Sequence, residues 1–349
     1  MRRKILLAFD DPGGGLAVST LIDKLIERNY IDLEVYAGLL SEKFLAEKTI
    51  EFKKINSLIS IEEAEEIINN VSPDILITGT SGGNAEQQLR NVAFNRNIKS
   101  VVIMDFWKDY GRRWLYASYQ LETLKEKICV IDEMMKTEMI EEGFPKDNLI
   151  ITGHPYLDKI FNYKINLENE DTSGKNNFLF LSQPLHTIGI KNYKIHPFKI
   201  FLDAIKELSE IREENILLTV KLHPLESLLS ELRSLINEYN GEKLEVKFAN
   251  EKTQLTELIL KSKVVIGYNT IAMFEAKALN KRTISLNVVP VKKSLTKAME
   301  RAGIEIIDAT KESIFDCLQK KSNSRLSSEV FKGGIENCVK IIFNELNLN

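Results

Sequence analysis

Short apolar runs recur along the chain, each stopping at a small polar or glycine-rich turn and most followed by apolar residues at helical spacing. In the first half the runs are residues 4–9, 33–37, 75–78, 100–104, 127–131 and 149–152, and helical patterns cover 16–28, 61–69, 85–95 and 132–142. In the second half strands are expected at 178–181, 215–220, 244–248, 263–267 and 283–286, with helices at 198–208, 225–239, 251–260 and 271–279. A strand that is apolar on both faces belongs in a parallel sheet covered by helices. The alternation therefore predicts an α/β protein of two Rossmann-like, doubly wound domains. The first spans 1–160 and the second 178–327, and a polar stretch at 161–177, containing Glu168-Asn169-Glu170-Asp171, reads as the linker. A last helical pattern within 328–349 is expected to fold back over the first domain.

Bulk properties narrow the classes. At 349 residues the chain is too long for one typical core, and 44% hydrophobic with 28% charged residues is enough to build two. A net charge of -3 argues against binding by broad phosphate neutralisation, so nucleic acid is set aside as a partner. Cys129, Cys317 and Cys338 lack CxxC spacing and lie in apolar segments, as buried thiols of a reducing compartment do. The basic start Met1-Arg2-Arg3-Lys4 precedes an apolar run of only five residues, too short for a signal peptide, and no stretch approaches a membrane span. A cytoplasmic protein is expected; peripheral membrane contact and oligomeric state stay open.

Open α/β sheets bind ligands at the carboxyl ends of their strands, which concentrates the candidate chemistry. Strand 4–9 runs into Asp10-Asp11-Pro12-Gly13-Gly14-Gly15, a glycine-rich turn that is neither GxGxxG nor a P-loop. Strand 75–78 leads to Thr80 and Ser81, and strand 100–104 to Asp105. Trp107, Arg112 and Arg113 follow; aromatic faces and guanidinium forks suit sugars or phosphates, and the competing reading is a packed loop with paired arginines. In the second domain strand 178–181 ends in Ser182-Gln183, strand 215–220 in Lys221-Leu222-His223-Pro224, and strand 263–267 in Tyr268-Asn269-Thr270, which can cap helix 271–279. A cationic turn beside a polar helix N-terminus suits a phosphorylated ligand.

Two such domains on a short linker, with a cleft between them, resemble the GT-B architecture of glycosyltransferases. Lys221-Leu222-His223-Pro224 is similar to the His-Pro motif of bacterial sialyltransferases, polysialyltransferases and related capsule enzymes, including glycerophosphotransferases. Asn269-Thr270, with Glu275 along the helix, resembles their second, Ser/Thr-containing motif. His-Pro occurs at His154, His196 and His223, and only His223 follows a lysine at a strand end of the second domain.

The resemblance implies a metal-independent glycosyltransferase, without cofactor, that moves a sugar from a CMP- or UDP-linked donor to a glycan or protein acceptor in surface polysaccharide or flagellar glycosylation. Ser182, Gln183, Lys221, His223, Asn269, Thr270 and Glu275 would hold the nucleotide, with Glu275 on the ribose. Asp11, Gly13, Gly14, Gly15, Thr80, Ser81, Trp107, Arg112 and Arg113 would face the acceptor. Catalysis would fall to His223 and to Asp10 or Asp105 as base. Strand-end helices with a Glu also occur in nonhydrolysing nucleotide-sugar 2-epimerases. A 2-epimerase or hydrolase, needing acidic residues near the sugar C2 and no acceptor, is thus the alternative; a non-catalytic nucleotide- or glycan-binding module is a third.

Overall fold

The computed structural model describes residues 2–39, 41, 45, 50–165, 176–185, 196–223, 229–250, 252–288, 293–320 and 331–348. The chain forms two units, one of Met1–Lys159 with Glu329–Asn349 and one of Ile160–Ser328. The first half runs β1 (Arg3–Phe9), α1 (Pro12–Ser19), α2 (Ile22–Ile26), β2 (Ile31–Ala37), β3 (Lys53–Lys54), α3 (Ile61–Val71), β4 (Ile75–Thr78), α4 (Ala85–Asn95), β5 (Lys99–Ile103), β6 (Lys127–Val130), α5 (Glu133–Glu141), β7 (Leu149–Ile151) and α6 (Pro155–Ile165). Then come β8 (Asn177–Leu181), α7 (Pro197–Arg212), β9 (Ile216–Lys221), α8 (Leu229–Tyr239), β10 (Leu244–Phe248), α9 (Leu255–Leu260), β11 (Val264–Gly267), α10 (Ile271–Ala278), β12 (Arg282–Asn287), α11 (Lys293–Ala302), β13 (Glu305–Asp308), α12 (Lys311–Gln319) and α13 (Gly334–Glu345).

The first unit is a parallel sheet in the order β3-β2-β1-β4-β5-β6-β7. From Ile5 onward β1 is apolar and buried because both of its faces are covered. Ile5, Leu7 and Phe9 pack with Ala17, Val18 and Ile22 and with Cys338, Val339 and Ile342 of α13. Leu6 and Ala8, on the opposite face, meet Ala64 and Ile68 of α3 and Leu89 and Val92 of α4. Each fully buried Leu or Ile contributes roughly 1.5–3 kcal/mol, so losing either helical layer would expose a large part of the core.

The second unit repeats the plan as β10-β9-β8-β11-β12-β13, all parallel. Phe178, Phe180, Leu218 and Val220 pack with α7, α8 and α12 through residues such as Phe201, Ile236 and Ile314. In both sheets the order reverses beside the first strand, between β1 and β4 and between β8 and β11. Such reversals open a crevice at the strands' carboxyl ends.

Several predicted bounds shift. The glycine-rich turn is not a loop: Pro12 opens α1 and Gly13, Gly14 and Gly15 lie within it, because Asp11 already caps the helix by accepting the Gly14 amide and proline suits the first helical position. The helical pattern at 16–28 is two short helices. Of the expected linker, 161–165 continues α6, Asn177 begins β8, and 166–175 lies outside the described residues, as do Pro224 and the first residues of the helix expected at 225–239. Helix α9 starts four residues later than predicted, at Leu255, and α11, β13 and α12 are additional elements. Cys129, Cys317 and Cys338 are buried free thiols. Among the described residues no helix is long and apolar enough to cross a membrane.

Candidate active site

In the first unit the crevice between β1 and β4 gathers carboxyl groups. Asp11 stands at its edge as the cap of α1, its Oδ1 2.7 Å from the Gly14 amide. Asp105 follows β5 and approaches so closely that a Cβ on Gly13 would lie 2.3 Å from its Oδ2. Arg113, on the 3-10 turn Gly111–Trp114, forms an ion pair with Asp105 and donates to the Thr80 hydroxyl; its Nε reaches the Lys108 carbonyl at 3.2 Å. Burial and the neighbouring Asp105 push the Asp11 carboxyl up to about 6, against the Gly14 amide and Arg113. Burial also raises Asp10, whose carboxylate accepts the Ser57 hydroxyl at 2.9 Å. Asp10 is hemmed in: a Cβ on Gly38 would fall 2.1 Å from its Oδ1, and one on Gly83 3.1 Å from its Oδ2.

Glu86 is not foreseen as a site residue, yet it joins the two loops of the crevice. From the first turn of α4 its Oε1 accepts the Asp10 amide at 2.8 Å and its Oε2 the Ser81 amide at 3.2 Å. Burial, with Asp11 nearby, pushes its carboxyl up to about 8 despite Arg90 and the two amides. The available signal was a polar stripe at helical spacing, Glu86, Gln87, Arg90 and Asn91, on a helix with an apolar opposite side. That stripe is buried. Arg90 donates to Thr78 Oγ1 at 3.1 Å and to the Gly79 carbonyl at 3.0 Å, and its guanidinium lies 5.0 Å from the Trp114 ring centre. His154, after β7, places Nε2 3.0 Å from the Asp105 carbonyl oxygen.

The aromatic stretch corrects an expectation. Trp107 is fully buried and its indole N–H donates to Asp132 Oδ2 at 2.8 Å, so it offers no face to an acceptor. Trp114 is likewise internal, bonded to Glu126 Oε1 at 2.9 Å. The reading as a packed loop holds for both tryptophans, because each indole finds a carboxylate to satisfy its donor inside the fold. Arg113 is drawn to Asp105, and Arg112 is exposed.

In the second unit Leu181 pairs in register with Gly267, so Ser182-Gln183 and Tyr268-Asn269-Thr270 leave neighbouring strands side by side. A Cβ on Gly267 would stand 2.8 Å from the Leu181 carbonyl, which is why a glycine occupies this position. Thr270 caps α10 by accepting the Ala272 amide at 3.0 Å. Asn269 Oδ1 accepts the Ser285 hydroxyl at 2.7 Å, which leaves its amide nitrogen to donate. The His223 amide donates to Ser182 Oγ at 3.3 Å. His223 thus follows the strand on the far side of β8 from β11, two strand spacings or about 10 Å from the Thr270 side of the crevice. Lys221 reaches towards the Thr253 carbonyl at 3.5 Å, and Glu275 is buried, accepting the Thr256 hydroxyl at 2.9 Å. Among the described residues no group of three or more His, Cys, Asp or Glu could hold a metal ion.

No protein-family model matches the sequence, and no curated protein matches it. Solved structures do. A UDP-GlcNAc 2-epimerase from Methanocaldococcus jannaschii superposes with a TM-score of 0.74 at 14% identity, covering 99% of this chain and 100% of that one. The Neisseria meningitidis UDP-GlcNAc 2-epimerase, solved with UDP-GlcNAc bound, gives 0.72 at 16% identity, over 99% and 100%. MurG from Acinetobacter baumannii gives 0.55 at 10% identity, over 99% of each chain. The chain has the fold of the 2-epimerases. The GT-B-like architecture stands, but these findings overturn the glycosyltransferase expectation in favour of its alternative, and they do not carry the likeness to sialyltransferases and capsule enzymes. No acceptor partner is supported.

Proposed function

We propose that this protein is a nucleotide-sugar 2-epimerase acting on UDP-GlcNAc and its 2-epimer. The observation that carries the reading is end-to-end coverage, 99% of this chain on 100% of the archaeal epimerase. The carboxyl groups of the first unit add a chemical reason. Inversion at C2 breaks a C–H bond and remakes it on the opposite face. No carbonyl adjoins C2, so the electron pair left behind expels UDP from C1, and UDP rejoins C1 as the proton is returned; one group must take a proton and another must give one. Carboxyl groups whose surroundings separate their titrations can hold these opposite roles at one pH. Asp11, pushed up to about 6, and Asp105, ion-paired with Arg113, are the two neighbouring carboxyl groups at these strand ends. Between the two candidate bases the geometry favours Asp105, since Asp10 is enclosed by Ser57, Gly38 and Gly83.

In the second unit the nucleotide is assigned to the crevice between β8 and β11. The first amides of α10, the Asn269 amide nitrogen and the Ser182-Gln183 turn are suited to phosphate oxygens, with His223 adjoining Ser182. The nucleotide sugar enters as substrate, and the proposal adds no cofactor.

Incubation with UDP-GlcNAc in D2O tests the reading by NMR. UDP-linked 2-epimer carrying deuterium at C2 is expected; a folded protein that yields neither the epimer nor deuterated substrate would overturn it. Gly13→Ala should then lower turnover by about 10²-fold, because the new methyl displaces the Asp105 carboxylate from its place. Its thermal midpoint should stay close to wild type, as the displaced group is a side chain, and an unchanged turnover would show that the carboxylate's position is immaterial.

A further inference from the structure

The end of the chain reaches the back of Asp105. Helix α13 begins beside β7, where Gly334 lies so close to His154 that a Cβ would stand 2.6 Å from the His154 carbonyl carbon and oxygen. Two further bonds dock that turn: the Ile335 amide donates to Asp158 Oδ2 at 3.0 Å, and Asn337 Nδ2 to the Thr152 carbonyl at 3.0 Å. Residues 152–158 are therefore held on both sides of His154. The imidazole is 2% exposed and reaches the Asp105 carbonyl oxygen through Nε2. A carbonyl only accepts, so Nε2 carries the proton and Nδ1 is a bare lone pair, buried without a partner among the described residues. Leaving a buried polar atom unpaired is costly, which points to a positional requirement on the other nitrogen.

We infer that His154, braced by the first turn of the C-terminal helix, is a positioning residue that sets where the Asp105 carboxylate stands. The backbone of Asp105 is held by His154 and its carboxylate by Arg113, so the side chain is constrained at both ends. Burial keeps the imidazole neutral, pushing it down to about 4, and no charge change disturbs the contact near neutral pH. The inference rests on the assignment of Asp105 made under the proposed function.

The carboxyl titration of Asp11, followed by NMR on protein labelled at its aspartates, reads the position of Asp105 without any substrate. Asp105→Asn should lower the Asp11 midpoint from about 6, because a negative neighbour is removed. His154→Asn, whose amide falls short of the Asp105 carbonyl, should move the midpoint part of the way, and Gly334→Ala should do so from the helix side. His154→Gln, whose amide nitrogen extends about as far as the ring Nε2, should restore it. A wild-type midpoint in His154→Asn, or equal shifts in the Asn and Gln variants, would overturn the inference; should His154→Asn fail to fold, an unshifted midpoint in Gly334→Ala would do so. In the epimerase assay His154→Asn should lower kcat with little change in KM and should add no further loss in an Asp105→Asn background. An inert wild type with the titration pattern intact would remove the epimerase reading alone.

Discussion

Asp105→Asn is expected to reduce deuterium incorporation at C2 of UDP-GlcNAc by about 10²–10⁴-fold, the usual range for losing a positioned proton-transfer group. The amide is nearly the shape of the carboxylate and still accepts through one oxygen, so Arg113 and Thr80 keep a partner and the site keeps its form. Binding of the nucleotide sugar should change little, since the proposed nucleotide contacts belong to the second unit. Some stability is lost as well, because the Arg113 guanidinium, only 12% exposed, loses its counter-charge. Deuterium exchange within tenfold of wild type would remove Asp105 from the chemistry and return Asp10 to consideration.

Glu86→Ala is expected to give the largest change in stability. It orphans the Asp10 and Ser81 amides, each at about 1–3 kcal/mol, and leaves a void under α4, so a total of about 3–5 kcal/mol is expected. For a unit of this size that corresponds to a fall of roughly 6–20 °C in the thermal midpoint. The pH dependence identifies the group. Glu86 is pushed up from its usual 4.5 to about 8, so the folded chain holds a proton that the unfolded chain releases. Its contribution is full below pH 4.5 and is lost as pH rises through about 8. Asp11 behaves alike between 3.8 and about 6, whereas His154, pushed down from 6.5 to about 4, makes stability rise with pH across that interval. Between pH 6.5 and 8 only Glu86 of these three titrates. Wild-type stability to urea should fall across that window, and in Glu86→Ala the fall should disappear; a slope shared by both proteins would place the titration elsewhere.

Legibility of the sequence varied with how local the signal was. The strands at Ile75–Thr78 and Leu244–Phe248 and the helix Ala85–Asn95 coincide with their predicted bounds, since apolar runs and punctuation lie within a few residues of one another. The edge strand Glu305–Asp308 escapes because it is only half buried and carries no apolar run, and β3 is only two residues long. Trp107 misleads by its proximity in sequence to arginines; its partner, Asp132, lies 25 positions away. Gly13 to Gly15 read as a turn because glycine is a poor helix former, but a capping aspartate and a proline override that preference.

Periodicity and strand-end chemistry in the sequence alone determine two parallel sheets with Asp10, Thr80 and Asp105 at one set of strand ends, because side-chain alternation and helical spacing are properties of neighbouring residues. Only the tertiary structure decides that Glu86 bridges Asp10 and Ser81, that Asp11 shares a space with Asp105, and that His154 stands between Asp105 and the last helix. Desolvation and charge–charge coupling depend on distance through space. Groups 76 positions apart, such as Asp10 and Glu86, meet only when the sheet has brought their strands together.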